Sequence, residues 1–149
     1  MSTSVVPVPT TTAVQNPLNL MLTIKQGQNA DILGYLHQNA NTINEALNRV
    51  GTVHFARFLV IPNTQLLFVI TEYDGDFNAY IQAFTKLLGP VFDKLLSYMD
   101  PAPPLPVEKN VAAFEAFVKQ YNLPSNLYAA YPNCTVQQIW GKGCAKAGA

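Results

Sequence analysis

Two apolar runs, residues 52–61 and 66–73, lie on either side of the short Pro62-Asn63-Thr64-Gln65 segment, and they constrain the fold more than any other feature. Val53, Phe55 and Leu59 occupy one parity of the first run, and Ala56, Phe58 and Val60 the other. The second run is apolar on both parities as far as Glu72. Side chains alternate across a strand, so a strand that is greasy on both faces is covered on both faces. The short connection makes the pair an antiparallel hairpin. A chain with this hairpin at its centre must therefore supply a layer on each side of a sheet.

The flanking sequence supplies candidates. Leu18, Leu20, Leu22 and Ile24 alternate with Asn19, Met21, Thr23 and Lys25, the period of a half-buried strand. After a turn at 26–29, with Asn29 as cap, Ile32, Leu33, Leu36, Ile43, Leu47 and Val50 recur at the spacing of one helix, which Gly51 closes. Asp74-Gly75-Asp76 ends the third strand and caps a helix whose stripe is Phe77, Tyr80, Ile81, Phe84, Leu87, Leu88, Val91 and Leu95. Gly89-Pro90 predicts a kink or a split in it. Residues 100–106 (DPAPPLP) form a stiff connector. Pro106 and Glu108 then open a third helix, with Val107, Val111, Phe114, Phe117, Val118 and Tyr121 inward. A break at 122–125 leads to a fourth strand at 126–131, and Thr135 caps a short helix carrying Val136, Ile139 and Trp140. No internal repeat is present. Without the inserted and terminal helices, this order is the split βαβ arrangement of a ferredoxin-like βαββαβ fold: α+β, a four-stranded antiparallel sheet with both long helices on one face. The expected organisation is a flexible tail at 1–16, one domain at 17–141 and a fraying tail at 142–149.

Composition bounds the function. Nine basic and nine acidic residues give no net charge and form no block, which argues against nucleic acid and against a polybasic membrane contact. Only 12% of the 149 residues are charged, about half the usual share. That shortfall predicts apolar surface covered by a second subunit or a ligand. No run is long enough to span a membrane, and residues 1–16 lack the basic end and apolar core of a secretory signal, so the expected compartment is the cytoplasm. A helix through Cys134 and Cys144 would hold them about 15 Å apart and leave two free thiols, whereas a compact turn would let them meet. Asn133-Cys134-Thr135 matches a glycosylation acceptor, which matters only in a secreted protein.

Residues 18–131 resemble the dimeric α+β-barrel superfamily, in which two ferredoxin-like sheets pack face to face. The likeness rests on the Thr52-Val53-His54-Phe55-Ala56-Arg57-Phe58 strand, the Tyr73-Asp74-Gly75-Asp76 turn, and Tyr131-Pro132 before a short helix. It implies a homodimer and a cavity on the sheet face. Members of that superfamily bind haem, oxidise polycyclic phenols, or only bind ligands or regulate, so the likeness selects no reaction.

His54 is the first candidate for chemistry. With Val53, Phe55 and Leu59 taken to face the helices, His54 points between the sheets, where it could bind haem iron or act as a base. The plainer account is a core histidine satisfied by a carbonyl or by a hydroxyl such as Thr23. Arg57 is either paired with Glu72 across the hairpin or an anion clamp for a substrate carboxylate or haem propionate. A bulge between the two would bring His54 and Arg57 to one face. With Thr23, Phe58 and Tyr128, they make up the expected ligand site for an apolar or aromatic molecule. His37 lies off the apolar stripe and reads as a solvated helix residue. Asp74 and Asp76 read as a turn and a helix cap, with a cation or acid–base role as the alternative. Tyr73, Tyr128, Tyr131 and Trp140 could line a pocket or anchor a dimer, although aromatics at such spacing are more often core. Phosphate loops, nucleophile elbows, paired CxxC ligands and HExxH are all missing from the sequence. Two functions follow: a small-molecule-binding protein, enzymatic in its oxidative version, or a non-catalytic module for self-association or docking.

Overall fold

The computed structural model describes residues 14–141, 143 and 144. Among them are three strands, β1 (Gln15–Thr23), β2 (Val53–Val60) and β3 (Leu66–Asp74). The helices are α1 (Asn29–Gln38), α2 (Ala40–Val50), α3 (Phe77–Ser97), α4 (Val111–Tyr121) and α5 (Val136–Gly141). The sheet is antiparallel with β3 in the centre, in the order β1-β3-β2.

One face of the sheet carries the helices. Leu18, Leu20 and Leu22 of β1 and Leu67, Val69 and Tyr73 of β3 are buried there with Ile81, Leu88 and Leu95 of α3 and Phe114, Phe117 and Val118 of α4. Each such side chain contributes about 1.5–3 kcal/mol by leaving water. Aromatic rings join the layers: Tyr73 stacks on Tyr80 at 4.4 Å, and Phe84 meets Phe92 edge-on at 4.5 Å.

Several expectations are corrected here. The helix expected across 29–51 is two helices, broken at Asn39, whose backbone leaves the helical region (φ −107°, ψ 11°) while its N–H and side chain both donate to the Tyr35 carbonyl. Gly51 closes the second in the left-handed region, φ 76°, as its position predicts. In contrast, α3 runs unbroken through Gly89-Pro90. Glycine suits that point because a Cβ there would lie 2.7 Å from the Glu108 carboxylate. Asp76 caps α3 by accepting from the Ala79 N–H. The third helix opens as a 3₁₀ turn at Val107–Lys109 and becomes α-helical only from Val111.

The strand expected at 126–131 does not form, so the four-stranded sheet is not present among the described residues. The chain there touches the outer edge of β1 only at its ends, through Leu123 N–H to the Asn19 carbonyl and Val14 N–H to the Pro132 carbonyl. Pro17 has no N–H to sustain a ladder between them.

Val53 packs on the core as expected, but past the register shift the faces of β2 are the reverse of those expected. Ala56, Phe58 and Val60 share the helix-covered face with their β3 partners, while Phe55, Arg57 and Leu59 face away. With Met21, Phe68 and Ile70 they form an open, half-exposed apolar face. No described helix is long and apolar enough to cross a membrane.

Candidate functional site

Near its start, β2 holds one residue more than β3 can pair. Val53 opposes Tyr73 and Phe55 opposes Glu72, so His54 sits in a β-bulge. A bulge re-aims its side chain, and here the imidazole Nε2 lies 2.6 Å from Oδ1 of Asp74, the last residue of β3. Both side chains are about nine-tenths buried. The second Asp74 oxygen accepts from the Val136 N–H at 2.7 Å, at the first turn of α5. A carboxylate only accepts, so Nε2 of His54 carries a proton and donates it to Asp74. Nδ1 has no partner among the described residues and is not one of the buried unpaired atoms.

The end of the open sheet face beside this pair is roofed by residues 131–141. Gln15 of β1, which opposes Asp74, donates from Nε2 to the carbonyls of Tyr131 and Cys134. Thr135 and Gln138 bond reciprocally, each side chain to the other's N–H, and cap α5. Gln137 reaches the Gly51 carbonyl behind α2. Cys134 and Cys144 are joined in a disulfide, their Cα atoms 5.7 Å apart. This corrects the expectation of free thiols: the helix ends at Gly141, and Gly143 at φ 74° lets the chain turn back. Beneath the roof, Glu72 is 6% exposed and its Oε1 has no partner. Burial raises its carboxyl above the usual carboxylate range; His54 pulls it partly back and Asp74 adds to the rise.

A groove of about 320 Å³ runs along the outer side of β2 between α2 and α5. Its walls are Asn44 and Asn48 of α2, His54 and Phe55 of β2, and Ile139 and Trp140 of α5, among others. Phe55, Ile139 and Trp140 are about half exposed there, so an apolar surface flanks a buried histidine with one open nitrogen. Elsewhere, a void of about 30 Å³ inside the helix–sheet core is lined by apolar side chains apart from Thr71. An open dish near Gly27 and Thr64 measures about 540 Å³ but has no titratable side chain in its lining.

The structure places the expected site residues apart. His54 lines the groove, and Phe58 lines the core void. Arg57 is exposed on the open face opposite Ile70, and no ion pair joins it to Glu72 among the described residues. Thr23 lies at the far end of the sheet, since it pairs with Leu66 while Gln15 pairs with Asp74. Tyr128 is 86% exposed in the irregular segment. Asp76 is the expected cap, but Asp74 is a buried acceptor rather than a turn residue. Tyr73 belongs to the core, Tyr131 is exposed, and Trp140 faces the groove. His37 is exposed on α1.

Sequence reasoning missed Asp74 as the partner of His54, and with it Gln15 and the Asn44/Asn48 wall. The signal for Asp74 was available in the hairpin: counting outward from the Ile61–Leu66 pair sets residue 74 beside 53 and 54.

Haem does not suit this groove. The Nε2 edge of His54 is held by Asp74, and no arginine or lysine is found among the described lining residues to meet propionates. No cluster of metal-ligating side chains occurs among the described residues. What remains at the site is recognition of an apolar or aromatic body and proton acceptance at one nitrogen. No family model matches the chain, nor does any curated protein or solved structure.

Proposed function

We propose that this chain is a small-molecule-binding α+β protein whose ligand, apolar or aromatic with an O–H or N–H, lies in the groove beside His54. The observation that carries this reading is the coupling of a buried His54–Asp74 pair to an open groove with exposed Trp140 and Phe55. A histidine kept only for packing has no need of a carboxylate that fixes its tautomer. Asp74 holds the proton on Nε2, and Nδ1 accepts from the ligand while the aromatic walls cover its body. In an enzymatic version, the ligand's acidic proton would pass to His54 Nδ1, leaving the ligand as its anion.

The likeness to dimeric α+β barrels belongs to the same proposal. The β1-β3-β2 order, with residues 122–132 touching the β1 edge at both ends, supports it. So does a homodimer, for which the low share of charged residues argues; the likeness carries the fold and not face-to-face packing. The disulfide favours an oxidising compartment over the cytoplasm expected from the sequence. A second reading, a module that only self-associates or docks, draws on that open face instead of the groove.

Amide and imidazole NMR spectra of labelled protein, titrated with a set of phenols and aromatic acids, separate the two. Saturable shifts at Asn44, Asn48, His54 and the Trp140 indole are expected, weakened in His54→Ala. Shifts scattered over Phe68 and Ile70, or no saturable shift, would overturn the groove reading in favour of the second.

A further inference from the structure

The two outer edges of the sheet differ in what their backbones face. In β1, bonds from Gly75 N–H to the Val14 carbonyl and from Ile24 N–H to the Gln65 carbonyl show that even-numbered residues are bonded to β3. The odd-numbered ones point outward, and those of Asn19 and Thr23 are answered in part. Asn19 gives its N–H to the Asn122 side chain and takes Leu123 N–H, Thr23 takes Asp100 N–H, and Pro17 has no N–H.

The edge of β2 is different. The bond from Ile61 N–H to the Leu66 carbonyl turns residues 57 and 59 toward β3, so Ala56, Phe58 and Val60 direct their N–H and C=O groups outward. None of these groups has a partner among the described residues. From Phe55 to Ile61 the strand has no proline, no lysine and no second bulge; Arg57 is its only charge.

We infer that this edge pairs with the same edge of a second copy, antiparallel, about a two-fold axis through Phe58. The outward residues are symmetric about Phe58. Ala56 therefore meets the partner's Val60, Phe58 meets the partner's Phe58, and every outward N–H finds a C=O. An isologous contact requires this self-complementarity, and a strand whose outward groups were not centred would leave some unpaired. On the open face, Arg57 falls opposite the partner's Leu59, so like charges do not meet. The two sheets join into one, and the open apolar faces of both copies become continuous. The pairing also brings the partner's Pro62 level with His54, so the partner's β2–β3 turn lies beside the groove.

Leu59 faces away from the core, so its substitution tests the pairing without breaking the fold. Leu59→Lys sets a second cation against the partner's Arg57 twice over, and Leu59→Glu sets an anion there. In sedimentation equilibrium at low salt, the wild type is expected to be a dimer, tightened by Leu59→Glu and loosened by Leu59→Lys. The two dissociation constants should differ by roughly tenfold or more, a gap that closes as salt rises. Ala56→Pro removes an outward N–H and leaves the bonds to β3 in place; it should give a folded monomer by circular dichroism. A monomeric wild type would overturn the inference. So would equal weakening by both Leu59 variants, the result of face-to-face packing, a response to neither, or a folded Ala56→Pro dimer.

Discussion

Removing the His54 imidazole leaves one oxygen of a buried carboxylate with nothing to accept from. His54→Ala should therefore cost about 1–3 kcal/mol in urea unfolding; a change within error would mean that Asp74 is already solvated. Asp74→Asn is more informative. The amide oxygen can still accept from Val136, but its NH₂ now faces His54, which answers by moving its proton to Nδ1. Imidazole ¹⁵N shifts should report the proton on Nε2 in the wild type and on Nδ1 in Asp74→Asn, with binding of phenols weakened. An unchanged tautomer would contradict the assigned role of Asp74. Glu72 behaves differently, because burial raises its carboxyl. The folded chain then holds that proton more tightly than the unfolded chain does. The stability this confers is complete below the unfolded pKa and is lost as pH rises through the folded one. The wild type should therefore lose stability as pH rises above the ordinary carboxylate range, and Glu72→Gln should remove part of that loss. Thermal melts across this range decide it; parallel profiles for the two proteins would show Glu72 to be ionised without penalty.

Elements whose ends are marked by side-chain chemistry were readable in the sequence. The Asp76 and Thr135 caps, the Gly51 stop and the hairpin around 62–65 all stand where residue type places them. Elements that depend on distant partners were not. Periodicity passes through Asn39 because the break is a change in one residue's backbone, which leaves no gap in the apolar stripe. The fourth strand failed on the partner's side: its own residues allow extension, but Pro17 and the Asn19 contacts on β1 leave little edge to pair with. The faces of β2 were misread because a strand apolar on both parities does not say which one meets the helices. The site was half legible, His54 in its residue type but Asp74 only through the register. At this scale α5 is the element most open to perturbation. It is short and is tied by the Asp74–Val136 bond, the Gln137–Gly51 bond and the disulfide. Reducing that bond should cost about 3 kcal/mol by loss of the loop constraint. Amide exchange should quicken at Val136–Gly141 while the β1–β3 ladder stays protected; acceleration shared equally by the sheet would contradict the picture of a locally clamped roof.

Among the described residues, one face of the sheet is sealed by helices and the other is partly exposed except where residues 131–141 close over its end. The groove lies at the meeting of these regions: α2 comes from the sealed side, α5 from the roof, and β2 is the edge between them. That position explains how the buried His54–Asp74 pair and half-exposed aromatics share one small volume. Trp140 is the only tryptophan in the chain and stands in the groove wall, so its emission reports on this site alone. Titration of the protein with simple phenols, followed by Trp140 fluorescence, tests the ligand site most directly. A saturable change that weakens in both His54→Ala and Asp74→Asn is the predicted result; emission that stays flat, or that responds identically in all three proteins, would contradict it.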